Sequence, residues 1–214
     1  MLKLYHYECC PYCVRVRMML EACGCTYSMQ VLQYDDKTTT QRLANTNLTP
    51  ILTLADGSSM SESLDIIAYL ADKYNFTLDP RKLPKIICSA LEAVKAVRTS
   101  LFKPRLQSLG LEEFSTQSAQ EYFYKRWDTT AEQDAQDMAK TDEYLQQLYP
   151  QLEIIADALQ SDHFVYDKFS MADIELFPAL RSATCVKGIK FPTRLDTYIQ
   201  YHLANSKVAA LPSI

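Results

Sequence analysis

The sequence predicts an α/β domain over residues 1–75, a linker over 76–84 and an all-α domain over 85–214. Three observations carry this reading. Short alternating or β-rich apolar runs occur only before residue 62, and beyond Pro84 the apolar residues recur at helical spacing. The chain also holds only 4 glycines in 214 residues, well under the usual share of about 7%, which suits helices and leaves little material for hairpins.

The first domain reads in order. Leu2-Lys3-Leu4-Tyr5-His6-Tyr7 alternates, with Leu2 and Leu4 on one face of a strand and Tyr5 and Tyr7 on the other. A helix follows from Val14 to Ala22 (Val14, Met18 and Ala22 on one face), and Gly24 offers a stop. Tyr27, Met29 and Val31 alternate with Ser28 and Gln30 as a second strand, Asp35-Asp36-Lys37 is a loop, and Thr39 to Asn45 is a short polar helix. Thr49-Pro50 introduces a third strand, Ile51 to Leu54, and Asp56-Gly57 is a hairpin-type turn into a fourth around Ser58 to Met60. The last helix of this half runs from about Ser61 to Tyr74, with Leu64, Ile67, Leu70 and Ala71 on one face. Strand, helix, strand, helix, strand, strand, helix is a thioredoxin-like layout.

Pro80 and Pro84 mark the linker, where the helical period is lost. Ile87, Leu91, Val94 and Leu101 then continue one helical face until Pro104 ends or kinks it, and Ser115-Thr116 opens another helix ahead of Tyr122-Phe123. Pro150 suits the first turn of a helix over Gln151 to Leu159. Ser170 and Asp173 form a capping box in its Asp form, with Phe169 and Ile174 as hydrophobic staple, opening an apolar helix central to the second half.

The chemistry is concentrated in Cys10-Pro11-Tyr12-Cys13, where the first strand hands over to the first helix. Pro11 fits the first helical position, where its missing N–H costs nothing. At that place free backbone N–H groups and the positive end of the helix dipole favour a thiolate over a thiol. A free cysteine with a pKa of about 8.5 is mostly protonated at neutral pH, so lowering it raises the attacking fraction and improves the leaving group. Cys13, one turn along, is the resolving thiol. Arg15 and Arg17 either add positive potential there or point into solvent.

Composition excludes other classes. A formal charge of −4 gives no support to nucleic-acid or membrane-surface binding. No apolar run approaches membrane-spanning length, and the N-terminus lacks a basic stretch followed by an apolar one. Seven cysteines without a framework spacing place the chain in a reducing cytoplasm. Cys23, Cys25, Cys88 and Cys185 are expected as buried small hydrophobes rather than zinc ligands, since only His6 lies near the N-terminal cluster, and His6 is expected as a strand side chain.

Together these motifs carry a resemblance. Cys10-Pro11-Tyr12-Cys13, Thr49-Pro50-Ile51-Leu52 and Ser61-Glu62-Ser63-Leu64-Asp65-Ile66 resemble the glutaredoxin 2 family, two-domain bacterial glutaredoxins of glutathione-transferase-like architecture. In the helical half Pro104-Arg105, Asp173 to Pro178 with Leu180-Arg181, and Phe191 to Arg194 match in order and spacing.

The resemblance implies a glutathione-dependent thiol–disulfide oxidoreductase with Cys10 and Cys13 catalytic, glutathione as reducing cosubstrate and no metal. Its partners would be glutathionylated or disulfide-bonded proteins, and the chain would act as a cytoplasmic monomer. Tyr12, Thr49, Pro50, Glu62 and Ser63 would form the glutathione site. Pro50 resembles the family's cis-proline, which would leave the Thr49 backbone free to pair with the cysteinyl backbone of glutathione. Ser63 and the helix-opening N–H groups suit the γ-glutamyl carboxylate, and Glu62 would face its ammonium.

For the glycine carboxylate, Lys37 and Arg42 lie in the right region, but neither is assigned. Two other readings stand beside the enzyme: a non-catalytic iron–sulfur or glutathione-binding scaffold, which the rigid Pro11 disfavours, and a cysteine-type glutathione transferase, which usually lacks the second cysteine. Cys9 is expected to take no part, pointing away from Cys10.

Overall fold

The alternation of the first sequence half closes into a sheet, and the helical periods of the second half form helices throughout. The computed structural model describes residues 1–214. In chain order the elements are β1 (Leu2–His6), α1 (Pro11–Ala22), β2 (Tyr27–Val31), α2 (Lys37–Ala44), β3 (Ile51–Thr53), β4 (Ser59–Ser61) and α3 (Ser63–Lys73). Then follow α4 (Lys85–Ala93), α5 (Lys95–Phe102), α6 (Gln117–Trp127), α7 (Ala131–Ala139), α8 (Thr141–Ala158), α9 (Met171–Ala183) and α10 (Thr193–Asn205). Short 3-10 segments cover Lys103–Ser108 and Glu112–Phe114.

The sheet order is β2-β1-β3-β4. β1 runs parallel to β2, Leu2 opposite Tyr27 and His6 opposite Val31, so α1 makes the crossover that parallel strands require. β3 is antiparallel to β1, with Leu4 opposite Leu52, and β4 returns antiparallel to β3. The return is the Asp56-Gly57 turn, where Gly57 takes φ +90°, a conformation that favours glycine. Leu4, Val16, Met19, Leu20, Ile51, Leu52, Ile66 and Leu70 are fully buried between the sheet and its helices. On α3 the buried stripe is Ser63, Ile66, Ile67 and Leu70, and Leu64 is exposed. The expected face is therefore displaced by one residue at its start, because Ser63 is a buried polar residue that apolar periodicity skips.

The compact units do not follow chain order. The first comprises Met1–Thr77, Gly110–Asp128 and Asn205–Val208; the second comprises Leu78–Leu109, Thr129–Ala204 and Ala209–Ile214. The sequence expectation placed all of 85–214 in the helical domain, whereas α6 and the segment before it belong with the sheet. The reason is aromatic packing. The Tyr34 ring, just after β2, lies 5.1 Å from Tyr7 and 4.9 Å from Phe114, and the Trp127 indole N–H donates to the Tyr34 hydroxyl at 3.0 Å. A helical period says which face is buried, not against which core.

In the second unit α9 is central, with Ala172, Ile174, Leu176, Phe177 and Leu180 buried. Its capping box forms, and Asp173 does more than cap: its fully buried carboxylate accepts from the Ser170 N–H (2.9 Å) and hydroxyl (2.8 Å), the Val165 N–H (2.8 Å) and the Tyr198 hydroxyl (3.2 Å). The remaining free N–H groups at this helix start are met by the segment expected to be a linker. Met171 N–H donates to the Asp79 carbonyl (2.9 Å) and Ala172 N–H to the Arg81 carbonyl (3.0 Å).

Other expectations change here. Pro150 does not open a helix but lies inside α8, whose buried stripe Leu145, Leu148, Leu152 and Ile155 runs straight past it. Continuous burial of four large side chains outweighs the roughly 3 kcal/mol that an interior proline costs. The face from Ile87 to Leu101 is divided at Val94 into α4 and α5. Cys185 is buried as expected, Cys23 and Cys25 are half-buried, and Cys88 is exposed: a thiol's small size lets it sit at a boundary as readily as in a core.

Because four buried donors converge on one carboxylate, Asp173→Ala should destabilise the protein by about 3–5 kcal/mol, against about 1 kcal/mol for Ser170→Ala. Equal losses in urea unfolding would mean that Asp173 is an ordinary cap.

Candidate active site

The strand-to-helix handover fixes the dithiol. β1 ends at His6, and Cys10 adopts extended φ −77°, ψ 117° as N-cap of α1, with Pro11 at the first helical position. The Cys10 carbonyl accepts the Val14 N–H at 3.1 Å, which starts the helical ladder. No capping bond of ordinary length closes onto the Cys10 side chain, yet the unpaired N–H groups of the first turn face its sulfur. Cys10 is half-buried and Cys13 fully buried.

The two thiols are driven apart electrostatically. Hydrogen bonding from the Cys13 thiol lowers the Cys10 pKa most; the N–H groups of Cys13 and Tyr12 and the Thr49 hydroxyl add to it, and burial opposes it. Cys13 is pushed well above the ordinary thiol range, chiefly by burial and then by the Cys10 sulfur beside it. The Thr49 hydroxyl lies 3.4 Å from Cys13 Sγ and reaches both sulfurs. Elsewhere burial pushes Cys23 up to about 12 and Cys185 up to about 11, and raises Cys25. Cys10 is the thiol whose surroundings favour the anion.

A cleft of about 510 Å³ opens beside this pair. Tyr12, Arg15, Leu48, Thr49, Pro50, Ser61, Glu62, Ser63, Leu64 and Asp65 line it. All five residues expected to hold glutathione, Tyr12, Thr49, Pro50, Glu62 and Ser63, are thus brought together. The Thr49–Pro50 peptide is cis. Glu62 is the N-cap of α3 at φ 70°, ψ 110°, a conformation costly for a residue with a Cβ, and such strain of about 1–3 kcal/mol concentrates at functional sites. It turns the chain sharply from β4 into α3, so the partnerless N–H groups of the first helical turn open on the cleft.

The cations that the sequence left unassigned can now be placed. Lys37 sits over the Tyr122 ring at 4.6 Å and Arg42 is exposed; neither lines the cleft. Arg15 does, stacked on Tyr12 at 4.8 Å, and is the single cation among the lining residues. Arg17 is buried instead, paired with Glu8 at 3.1 Å and donating to the Lys207 carbonyl at 2.6 Å. Sequence reasoning missed Leu48, Leu64 and Asp65; their positions flanking Thr49 and Ser63 were the available signal. Nothing in the sequence pointed to Glu113, whose Oε1 accepts the Cys9 N–H at 2.8 Å.

Cys9 is buried where Cys10 is half-exposed, so the two side chains part company at the loop. After mild oxidation, peptide mass mapping should find Cys10 joined to Cys13, both in the native protein and in Cys9→Ser. A disulfide containing Cys9 would contradict this geometry.

Two family models divide the chain: "Glutathione S-transferase, N-terminal domain" matches residues 4–81, and "Glutaredoxin 2, C terminal domain" matches residues 87–214. Glutaredoxin 2 of Escherichia coli strain K12 is 30% identical over 213 residues, covering 100% of this chain and 99% of its own. The crystal structure of Glutaredoxin 2 from Salmonella typhimurium, solved in complex with glutathione, superposes with a TM-score of 0.91 at 28% identity, covering 99% of this chain and 97% of that one. A glutathione transferase homologue from Sulfitobacter, at 18% identity and a TM-score of 0.59, covers 98% and 96% and shares the fold. With a thioredoxin-like sheet, a helical second half and full-length similarity of this order, the chain belongs to the glutaredoxin 2 family.

Proposed function

We propose that this protein is a glutathione-dependent thiol–disulfide oxidoreductase that reduces protein–glutathione mixed disulfides and protein disulfides through Cys10 and Cys13. One observation carries the reading: Cys10, the thiol whose pKa its surroundings lower, stands beside a cleft built from Tyr12, Thr49, Pro50, Glu62 and Ser63. Glutathione bound to the Salmonella relative supports the identity of the small thiol.

With a glutathionylated protein, the Cys10 thiolate attacks the glutathionyl sulfur. The protein thiolate leaves and takes up a proton, and a Cys10–glutathione disulfide remains. A second glutathione, as thiolate, attacks the glutathionyl sulfur, releasing glutathione disulfide and regenerating the Cys10 thiolate. With a protein disulfide, Cys10 attacks one sulfur and the other leaves. Cys13 then loses its proton and attacks Cys10 Sγ, so the protein departs as a dithiol and the Cys10–Cys13 disulfide is left. Two glutathione molecules supply the two electrons that reopen it. The high Cys13 pKa keeps it from competing as first nucleophile, and its proton steadies the Cys10 anion between turnovers.

In the cleft, the γ-glutamyl carboxylate meets the Ser63 hydroxyl and the first-turn N–H groups of α3, with Glu62 toward the ammonium. Thr49 and Pro50 hold the cysteinyl backbone, and Tyr12 covers it. Exposed Tyr12, Leu48 and Leu64 give the cleft an apolar rim against which the polypeptide carrying the disulfide can lie. The chemistry belongs to the sheet-bearing unit, which Gly110–Asp128 completes, and requires the glutathione-reduced cytoplasm. No helix is long and apolar enough to cross a membrane. The protein acts as a monomer.

Glutathione-coupled reduction of a small glutathione mixed disulfide tests the division of labour. Cys10→Ser should abolish all turnover, whereas Cys13→Ser should keep deglutathionylation and lose dithiol reduction of proteins. Equal loss of deglutathionylation in both variants would overturn the assigned roles.

A further inference from the structure

Behind the dithiol loop, 104 residues away in sequence, stands a carboxylate that the mechanism does not use. Glu113 is fully buried, in the one-turn segment Glu112–Phe114. Its Oε1 accepts the Cys9 N–H at 2.8 Å, and its Oε2 has no hydrogen-bond partner. Burying a carboxylate on one backbone donor is unfavourable, because the second oxygen leaves water and gains nothing in return. A leucine there would cover the same surface but remove the acceptor of the Cys9 N–H, so what the acid contributes at this place is its hold on that amide.

The segment around it is itself fixed to the sheet unit. The Glu113 carbonyl accepts the Tyr34 N–H at 2.9 Å, and the Gln33 amide donates to the Glu112 carbonyl at 2.8 Å and the Ser115 hydroxyl at 2.9 Å. The Phe114 ring packs 4.9 Å from Tyr34, and Tyr34 packs 5.1 Å from Tyr7, at the other end of the same loop. Glu113 therefore reaches the loop from a rigid base.

What it grips is the amide one residue before the nucleophile. The Cys10 N–H makes a long bond to the Tyr7 carbonyl, 3.4 Å, whereas the Glu113 bond to the neighbouring amide is short. The Cys9 amide fixes the plane of the peptide that leads into Cys9, and through it the approach of Cys10 to the helix N-terminus.

We infer that Glu113 is a positioning residue for the nucleophile, its buried carboxylate holding the Cys9 amide so that Cys10 Sγ stays aligned with the free N–H groups of α1. This rests on Cys10 being the nucleophile. It assigns a segment from the C-terminal half of the chain a direct part in setting the reactivity of the N-terminal thiol. The acceptor oxygen is what matters; the charge is incidental.

The test compares Glu113→Ala, Glu113→Asp and Glu113→Gln by the pH profile of Cys10 alkylation with iodoacetamide, with circular dichroism and melting recorded in parallel. Alanine removes the acceptor, and aspartate withdraws it by about 1.5 Å, roughly one C–C bond. Both should shift the Cys10 profile to higher pH and slow alkylation at pH 7 by 3–10-fold, with the glutathione KM unchanged because Glu113 does not line the cleft. Glutamine keeps an acceptor oxygen and should restore the native profile to within twofold. If alanine fails to fold, aspartate and glutamine still decide. A folded alanine or aspartate variant with the native profile overturns the inference, as does a glutamine variant shifted as far as aspartate. If Cys10 of the native protein shows no fast alkylation at all, it is the assignment of the nucleophile that fails.

Discussion

Everything in the site depends on one shared arrangement: two sulfurs one helical turn apart at a helix N-terminus, with a single hydroxyl, Thr49, within reach of both. A thiolate buried alone would be unfavourable, since burial penalises the charged form. At Cys10 that penalty is offset by the Cys13 thiol, the first-turn N–H groups and Thr49. At Cys13 the balance runs the other way, because it is fully buried and faces a sulfur that holds the negative charge. Attack and resolution are thereby assigned to different residues before any substrate arrives. Stabilising the thiolate also stabilises the reduced pair over the disulfide, which makes the oxidised form easier for glutathione to reopen.

The fold supplies each contributor from a different element. β1 delivers the cysteines to the mouth of the sheet, the segment before β3 delivers Thr49 and Pro50, and the positive-φ turn at Glu62 delivers the start of α3. The segment 110–128 closes the back of the same unit through Phe114, Phe123 and Trp127. Catalytic chemistry written in residues 10–63 thus leans on packing written fifty residues and more downstream. In the second unit Asp173 plays a comparable part, gathering helix start, loop and Tyr198 onto one buried carboxylate.

Much of this was legible in the sequence. The succession of strands and helices, the handover at Cys10 and the α9 capping box follow from local pattern, because each is encoded within a few residues; the grouping of Thr49, Pro50, Glu62 and Ser63 came from the resemblance to the glutaredoxin 2 family. The losses have a common cause: they depend on tertiary partners. Leu64 breaks the expected apolar face because Ser63 takes the buried position at a helix start. Pro150 continues a helix because the buried stripe on either side of it outweighs the missing N–H. α6 joins the sheet unit through Tyr34, and Glu113 meets Cys9 across 104 residues, where no spacing rule operates. Arg15 and Arg17 were indistinguishable as letters; burial and the Glu8 pairing separate them.

The central claim is the opposed pull on the two thiols. It is tested most directly by carbon-13 NMR titration of cysteine Cβ signals in the reduced protein, with Cys10 and Cys13 assigned through their serine variants. Cys10 should titrate clearly below the ordinary thiol value of about 8.5, and Cys13 should stay protonated through pH 9. The sign follows from the site: as pH rises through the lowered value, Cys10 loses its proton first, and its charge then holds the Cys13 proton in place. Two thiols titrating together near the ordinary value, or Cys13 titrating first, would contradict the account.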